Sequence, residues 1–268
     1  PWLCAHHRTR LHGTVVTAEL SDMMWRDCYK VSSIERYPLA WDKRDIDTAL
    51  DSWYVHDFGV PWNHHRWELT LHPAGHIPGA AMLHIKTPDT TVLLTGDFDT
   101  RDSSLVRGAQ PVKADILFVE GTYGGRDHPP KEEEIDRFTS AVEEVVKRGG
   151  TVLIPAFANG RTQDVVMMLH KHLPHLNVHV DGMGKRVAKT HLNHPHLLRD
   201  GGALERAWRW AKQVSSKSDK KKALGADVIV TTSGMLEGGP ALWYLNRLRH
   251  DQKLSLIHIS EPTRQATI

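Results

Sequence analysis

Cysteine is scarce in this sequence and long apolar runs are absent, and each absence excludes a class of protein. Two cysteines among 268 residues, Cys4 and Cys28, are too few for a disulfide framework or a cysteine zinc site, so we expect free thiols in a reducing compartment. No apolar stretch reaches the roughly 20 residues that cross a bilayer, and no apolar core of a signal peptide follows the N-terminus. These features predict a cytoplasmic protein with no membrane partner.

The charge balance is also nearly neutral, with a formal net charge of +2. It therefore gives no whole-chain argument for a polyanionic partner. Between residues 181 and 222, however, eleven Lys and Arg residues face four acidic residues, and a local basic excess suits a polyanion. The run Lys217–Lys222 within it is equally typical of a solvated loop. The 19 histidines favour a metal site only slightly, because one dinuclear site uses about five.

The two halves of the chain differ in their hydrophobic patterns. The first half predicts mainly strands, including a short one at Gly13–Thr17 and a hairpin at 80–95 that turns at Pro88 and Asp89. A further strand at Asp115–Glu120 has a continuous apolar run, which predicts burial on both faces. From Pro129 onward, helices and strands alternate, which is typical of a parallel sheet covered by helices. We therefore predict an α/β protein with a doubly wound second half.

Acidic and imidazole side chains follow three of the predicted strands. His76 lies in a glycine-rich turn after the strand that ends near Leu71, Asp97 follows the strand ending in Leu94, and Glu120 ends the third strand. Any one of them alone fits a turn residue or a cap. Three strand ends that deliver His, Asp and Glu are much more informative than any one of them, and a carboxylate at such a position can bridge two cations.

The segments around these residues resemble a known family. AGHIPGA at 74–80, LTGD at 94–97 and VEGTYG at 119–124 are similar to successive motifs of the metallo-β-lactamase superfamily. The runs GGTVLIPAFANGRTQ at 149–163 and VIVTTSGMLEGGP at 228–240 resemble the hallmarks of its β-CASP branch. The resemblance covers essentially residues 1–253, and within the branch it is nearest to ribonucleases like the prokaryotic RNA 3′-end-processing factors.

The resemblance implies a fold and a chemistry. The fold would be a truncated metallo-β-lactamase αββα sandwich at 1–126 followed by a β-CASP domain with a parallel, Rossmann-like sheet at 127–253. His76 and Asp97 would ligate zinc, two ions per complete active site, and Glu120 would orient a catalytic histidine or assist proton transfer. The reaction would be hydrolysis of a phosphodiester by zinc-bound hydroxide.

Two segments of the β-CASP-like half are candidates for contacting the RNA backbone. Asn159, Gly160, Arg161 and Thr162 open a predicted helix, where backbone N–H groups favour phosphate. Ser233, Gly234 and Met235 follow a buried strand, at the place where parallel sheets bind ligands. The segment 181–186 (DGMGKR) looks like a P-loop only superficially, because the first glycine and the final Ser or Thr are missing.

The family's His-x-His-x-Asp-His motif and its late histidines are absent from this sequence. His6–His7 and His64–His65 lack the spacing of that motif, so we interpret them as ordinary polar residues. The C-terminal run LSLIHISEPTR at 254–264 resembles a translated sequencing adapter, so we predict a non-native tail at 254–268; the alternative is an amphipathic terminal strand. We therefore expect a piece of a longer protein that retains metal poorly and is inactive by itself.

Three functions remain open at this point. The first is a zinc-dependent ribonuclease acting on RNA, with single-stranded RNA expected and a homodimer conceivable. The second is a catalytically inactive RNA-binding or scaffold paralogue, against which His76, Asp97 and Glu120 argue. The third is a DNA-acting β-CASP nuclease or a small-molecule hydrolase on the plain metallo-β-lactamase fold; the small-molecule hydrolase would leave the long insertion after Glu120 unexplained.

Overall fold

The computed structural model describes residues 1–125, 127–236 and 238–257. Contacts between Cα atoms divide the chain into two compact units. The first unit comprises Pro1–Asp102 and Arg107–Glu120, and the second comprises Ser103–Val106 and the chain from Gly121 onward. The predicted domain boundaries, 1–126, 127–253 and 254–268, stay predictions. Among the described residues, no helix combines the length and apolarity that crossing a membrane takes.

The first unit contains a small parallel pair of strands and a five-stranded sheet of order β3-β4-β5-β6-β7. All neighbours in the larger sheet are antiparallel except β6 and β7, which are parallel. The elements are α1 (Trp2–His7), β1 (Leu11–Gly13), α2 (Val15–Glu35), α3 (Lys43–Asp51), β2 (Trp53–Val55), β3 (Trp62–His64), β4 (Trp67–Pro73), β5 (Ala81–Lys86), β6 (Thr91–Leu94) and β7 (Ile116–Phe118).

The predicted strand at Gly13–Thr17 is wrong, because α2 already begins at Val15. Thr14 caps this helix, with its Oγ1 accepting from the backbone N of Thr17 at 3.4 Å. The same hydroxyl donates to the carbonyl of Gly79 at 2.9 Å, and Val16 is fully buried. The cap and the tertiary contact therefore override the strand preference of the β-branched residues.

The predicted burial of the strand at 115–120 is also wrong. Ile116, Leu117 and Phe118 are 46%, 57% and 60% exposed. Their strand, β7, stands at the edge of the sheet and pairs only with β6 within the described part of the chain. The continuous apolar run therefore predicted the strand correctly. It did not predict burial, because burial depends on packing against other parts of the chain.

The second unit is a parallel α/β domain. Its elements are α4 (Lys131–Lys147), β8 (Val152–Pro155), α5 (Arg161–His172), β9 (Val178–Asp181), α6 (Gly184–Asn193), α7 (Gly201–Trp210), β10 (Lys212–Gln213), α8 (Lys217–Lys222), β11 (Val228–Thr231), α9 (Gly239–Leu248) and β12 (Ser255–Leu256). The strand order is β10-β9-β11-β8-β12, and every described pair is parallel. The structure thus confirms the predicted α/β class, with a parallel sheet in the second half.

Helices cover both faces of this sheet. Alternate residues of β8 and β11 enter two different cores: Ile154 and Val230 join the core that contains α5, whereas Leu153 and Ile229 join the core that contains α9. Each fully buried aliphatic side chain contributes about 1.5–3 kcal/mol. Because both faces are apolar, the strands read as continuous hydrophobic runs in the sequence.

The first residues of the predicted C-terminal tail take part in this sheet. Ser255–Leu256 forms β12, which pairs with β8 in parallel, and the backbone N of Ile257 donates to the carbonyl of Leu153 at 3.0 Å. The remaining predicted tail, residues 258–268, lies outside the described residues. The segment thus adopts the strand that was the alternative interpretation, and its non-native origin stays a prediction.

Candidate functional site

Three strands of the first unit run in the same direction and end at the same edge of their sheet. β4 and β6 are each antiparallel to β5, and β7 is parallel to β6. The loops that carry His76, Asp97 and Glu120 follow β4, β6 and β7 respectively. The topology therefore brings the three predicted residues to one edge of the sheet, as the strand-end pattern predicts.

Backbone contacts join these three loops. The N–H of Asp99 donates to the carbonyl of Ala74 at 3.0 Å, and a Cβ on Gly75 would lie 2.2 Å from the carbonyl oxygen of Asp99. Gly75 has a φ of +70°, so this close approach requires glycine. The N–H of Glu120 donates to Oγ1 of Thr95 at 3.3 Å. His76 and Glu120 are half-buried, and Asp97 is exposed.

The donors at this edge do not complete a zinc site. An imidazole and a carboxylate are suitable ligands, but a zinc ion takes about four. Within the described residues, no group of three or more His, Cys, Asp or Glu side chains is arranged to hold a metal. His76 and Asp97 thus fit part of a zinc site, and their assignment as ligands stays a prediction.

Several of the remaining histidines stack on aromatic rings. His12 Nδ1 lies 2.9 Å from His56 Nε2, and the ring of His56 stacks on that of Trp62 with centroids 3.7 Å apart. Burial lowers the pKa of both imidazoles, and that of His12 is lowered further by His56 and His64. The high histidine count therefore reflects packing as well as the predicted metal chemistry.

The second unit has a topological switch point between β8 and β11. From β8 the chain continues into α5, which packs in the core on one face, and from β11 it continues into α9, which packs in the core on the other face. The loops after these adjacent parallel strands lie at the carboxyl edge of the sheet, the usual ligand site in open α/β sheets. Asn159–Thr162 and Ser233–Met235 both lie there.

The two switch-point loops are in contact. A Cβ on Gly234 would lie 2.9 Å from the backbone N of Phe157, and Thr162 Oγ1 donates to the carbonyl of Phe157 at 2.7 Å. Gly160, at φ +80°, immediately precedes α5. The loop that carries Ser233–Met235 thus contacts the loop that leads through Asn159 into the 12-residue helix α5, whose dipole favours an anion at its start.

Arg161 stands at the first position of this helix. Its Nη1 is 3.8 Å from Asp164 Oδ2, and Asp164 Oδ1 in turn accepts from the backbone N of Ser104 at 2.9 Å. Arg161 Nε and Asn159 Oδ1 have no hydrogen-bond partner among the described residues, although both atoms are enclosed. The Arg161 side chain as a whole is 30% exposed, and an accessible guanidinium at a helix start can donate to phosphate.

A third loop, after β9, completes the edge. A Cβ on Gly182 would lie 2.0 Å from Thr232 Oγ1, and one on Gly184 would lie 2.6 Å from Thr162 Cγ2. Gln163, which is fully buried, donates through Nε2 to the carbonyls of Ala158 and Gly184 at 3.0 and 2.8 Å. Gln163 is not among the predicted site residues, although it belongs to the run at 149–163 that carries the family resemblance.

The lysine-rich run is not simply a solvated loop. Lys217–Lys222 forms the short helix α8, which a capping box between Ser216 and Asp219 begins. Lys220 points inward: its Nζ is 3.6 Å from Asp181 Oδ2 and 4.7 Å from the ring centroid of Trp243. Lys217, Lys221 and Lys222 remain exposed.

Comparison with known proteins places the second unit in a class. Residues 162–265 match the Beta-Casp domain, which confirms the resemblance predicted from the sequence for this part of the chain. A probable RNase, MJ4, of Methanocaldococcus jannaschii is 32% identical over 94% of this chain and 62% of its own length. RNase aCSPSF2 of Saccharolobus solfataricus is 29% identical over 94% of this chain and 51% of its own.

A eukaryotic relative matches less of its own length. Cleavage and polyadenylation specificity factor subunit 3 of Dictyostelium discoideum is 29% identical over 92% of this chain and 34% of its own length. The chain therefore spans less than two thirds of the length of these curated relatives.

Proposed function

We propose that this chain is part of an RNA-processing nuclease of the β-CASP type and that the edge formed by the loops after β8 and β11 binds the RNA backbone. The observation that carries the proposal is the contact of Gly234 with Phe157, which joins the loops that carry Ser233–Met235 and Asn159–Thr162 in a chain whose residues 162–265 match the Beta-Casp domain. Relatives named as ribonucleases support RNA as the substrate class.

At this edge the chain supplies two kinds of phosphate contact. The start of α5 carries the positive partial charge of the helix dipole, although the N–H groups of Arg161 and Thr162 already donate to the carbonyls of Asn159 and Phe157. Arg161 adds a guanidinium on a side chain that is 30% exposed. Neither kind of contact reads a base, so we propose binding to the backbone of single-stranded RNA with little sequence preference.

The hydrolytic role rests on the edge of the first unit. By the resemblance, His76 and Asp97 supply part of a two-zinc site in a longer protein, where the metal would activate water. Glu120 would orient a catalytic histidine or assist proton transfer beside it. Because the described donors do not complete such a site, we propose that the chain by itself holds zinc weakly and does not cleave RNA.

The first test measures RNA binding by the chain. Arg161→Ala should weaken binding of a 5′-phosphorylated, single-stranded RNA about tenfold and reduce the salt dependence by about one phosphate contact. Fluorescence anisotropy at several salt concentrations measures both quantities. Arg137→Ala is the matched control, since Arg137 is an exposed arginine on α4 whose partner is Glu134. Equal affinities for wild type and both variants would contradict the proposal.

The second test addresses cleavage, in the complete reading frame that encodes this chain. Asp97→Asn should lower the cleavage rate at least about a hundredfold, because a bridging carboxylate is lost from the metal site. Asp89→Asn, in the exposed turn between β5 and β6, should cleave like wild type. Undiminished cleavage by Asp97→Asn would remove the two-metal mechanism. Cleavage by neither variant nor wild type would favour an RNA-binding scaffold.

A further inference from the structure

Asp181 is a buried carboxylate at the carboxyl end of β9, only 7% exposed. One oxygen accepts from the N–H of Gly182 at 2.7 Å, and the other accepts from the hydroxyl of Tyr244 at 3.0 Å. The ammonium groups of Lys185 and Lys220 each lie 3.6 Å from it. One side chain therefore interacts with the loop after β9 and with three helices, α6, α8 and α9.

Such a cluster is not explained by stability alone. Burying a carboxylate and bringing two ammonium groups to it costs desolvation energy that the ion pairs barely offset, and apolar side chains of similar volume are often as stable. What the polar cluster adds is a fixed geometry, because each hydrogen bond has a preferred length and direction. The Tyr244 hydroxyl stays protonated and remains a donor, since burial and the charge of Asp181 both raise its pKa.

Partners of Asp181 are connected to the loop after β11, which forms part of the proposed RNA-binding edge. Tyr244 is on α9, the helix that follows the loop carrying Ser233–Met235. The start of α9 is tied to the same loop, because the N–H of Ala241 donates to the carbonyl of Thr232 at 2.9 Å. The N–H of Met183, next to Gly182, donates to Thr232 Oγ1 at 3.2 Å. Asp181 thus holds two loops that meet at Thr232.

Lys220 extends the same cluster. Its ammonium lies 3.6 Å from Asp181 and 4.7 Å from the ring centroid of Trp243, and the guanidinium of Arg247 covers Trp243 at 3.8 Å. Trp243 and Arg247 both belong to α9. The carboxylate therefore acts on α9 through Tyr244 directly and through Lys220 by way of Trp243.

We propose that Asp181 is a positioning residue of the RNA-binding edge: it holds the loop 232–236 and the start of α6 in the arrangement that accepts an RNA phosphate, without touching the RNA. This inference rests on the proposed function of the β8–β11 edge. Asp181 acts on the loop after β9 through Gly182, on α6 through Lys185 and on α9 through Tyr244.

The sign of one measurement separates positioning from simple electrostatics. Asp181→Asn removes a negative charge near a site for a polyanion, so electrostatics alone would strengthen RNA binding. Positioning predicts the opposite, a rise in Kd of about tenfold for a 5′-phosphorylated single-stranded RNA, because hydrogen bonds to a charged acceptor are lost. Unchanged or tighter binding by a folded Asp181→Asn protein would overturn the proposal.

Asp227 provides a matched control in the same sheet. It precedes β11 at the opposite edge, and its Oδ2 accepts from the backbone N of Asn177 at 2.7 Å. Asp227→Asn therefore removes the same charge and a similar backbone contact, but far along the strand from the loops. We expect it to change the Kd less than about twofold. A loss equal to that of Asp181→Asn would overturn the proposal, because it would report a general loss of structure.

A second variant tests the proposal even if Asp181→Asn does not fold. Tyr244→Phe keeps the ring in the core and removes only the hydroxyl, so it should weaken binding in the same direction. In a double-mutant cycle, adding Tyr244→Phe to Asp181→Asn should cost no further affinity, because the two residues act through one contact. Independent, additive losses would overturn the coupling, and if Asp181→Asn does not fold, an unchanged Kd for Tyr244→Phe would overturn the proposal.

Amide hydrogen exchange tests the positioning without RNA. Asp181→Asn should raise exchange in peptides covering Gly182–Arg186 and Thr232–Leu236 and leave β8 unchanged, whereas Asp227→Asn should not affect those loops. Faster exchange in the loops with no RNA binding by wild type would overturn the proposed function and, with it, the RNA role of Asp181. Unchanged exchange with intact wild-type RNA binding would overturn the positioning alone.

Discussion

The two units present their strand ends in different ways. In the second unit, the loops after β8, β9 and β11 interlock through close backbone approaches at Gly182, Gly184 and Gly234. In the first unit, the loops after β4, β6 and β7 are also joined, but the described donors do not complete a metal site, and β7 is exposed. The proposed RNA-binding edge of the second unit therefore has closely packed loops, whereas the proposed catalytic edge of the first unit has an incomplete set of described metal donors.

The largest expected difference between the units is in strand burial. Ile154 in β8 is fully buried, whereas Leu117 in β7 is 57% exposed. Ile154→Ala should lower the free energy of unfolding by about 2–5 kcal/mol, because it leaves a cavity in a covered core. Leu117→Ala should change it by less than about 0.5 kcal/mol. Urea denaturation measures both, and equal losses would break the comparison.

A buried histidine should make the second unit sensitive to acid. His191 on α6 is fully buried, and burial, with a smaller effect of His194, lowers its pKa from 6.5 to about 4. Both ring nitrogens lack a hydrogen-bond partner among the described residues. Between pH 6.5 and about 4, the imidazole of His191 therefore binds a proton in the unfolded chain but not in the folded chain. The free energy of unfolding begins to fall as the pH drops below 6.5 and decreases further towards pH 4.

The expected loss of stability follows from the difference between the pKa of His191 in the folded and unfolded chains. Each unit of pKa shift corresponds to about 1.4 kcal/mol, so the loss near pH 4 should be about 2–3 kcal/mol. His191→Leu should flatten the pH dependence between 6.5 and 4, and His175→Leu, at an exposed position, should leave it as in wild type. Chemical denaturation at several pH values measures the slope. An unchanged slope in His191→Leu would show that other groups cause the acid sensitivity.

The smallest expected effect concerns zinc and the first unit. With few suitable donors at the edge of β4, β6 and β7, zinc should bind weakly, and a concentration near its Kd adds only about 0.4 kcal/mol of stability. Isothermal titration calorimetry and thermal unfolding with and without zinc measure this. Tight binding with a whole-number stoichiometry would contradict the account of an incomplete catalytic edge.

Much of the second unit could be predicted from the sequence because its signals are local. The helix α4 spans Lys131–Lys147 and begins close to Pro129, where the alternation of helices and strands is predicted to begin. Its signals are an apolar face, an acidic first turn and a glycine at its end, and all of them lie within one segment. The strands β8 and β11 are also predictable, because strands covered on both faces have largely continuous apolar sequences.

The features that the sequence did not predict depend on contacts between residues that are distant in sequence. The helical start at Val15 is favoured by Gly79, 64 positions later, and the exposure of β7 is set by its place at the edge of the sheet. The inward position of Lys220 depends on Asp181 and Trp243. The candidate site was predictable as a set of strand ends, whereas the cluster that holds its loops was not.

One measurement tests the central claim most directly, that the loops after β8 and β11 form the RNA-binding edge. Amide chemical shifts of the ¹⁵N-labelled chain are followed while a 5′-phosphorylated single-stranded RNA is added. The account predicts that the largest changes cluster at Asn159–Thr162 and Ser233–Met235, with smaller changes at Gly182–Gly184. Saturable changes confined to other surfaces, such as the exposed lysines of α8, with those loops silent, would contradict it.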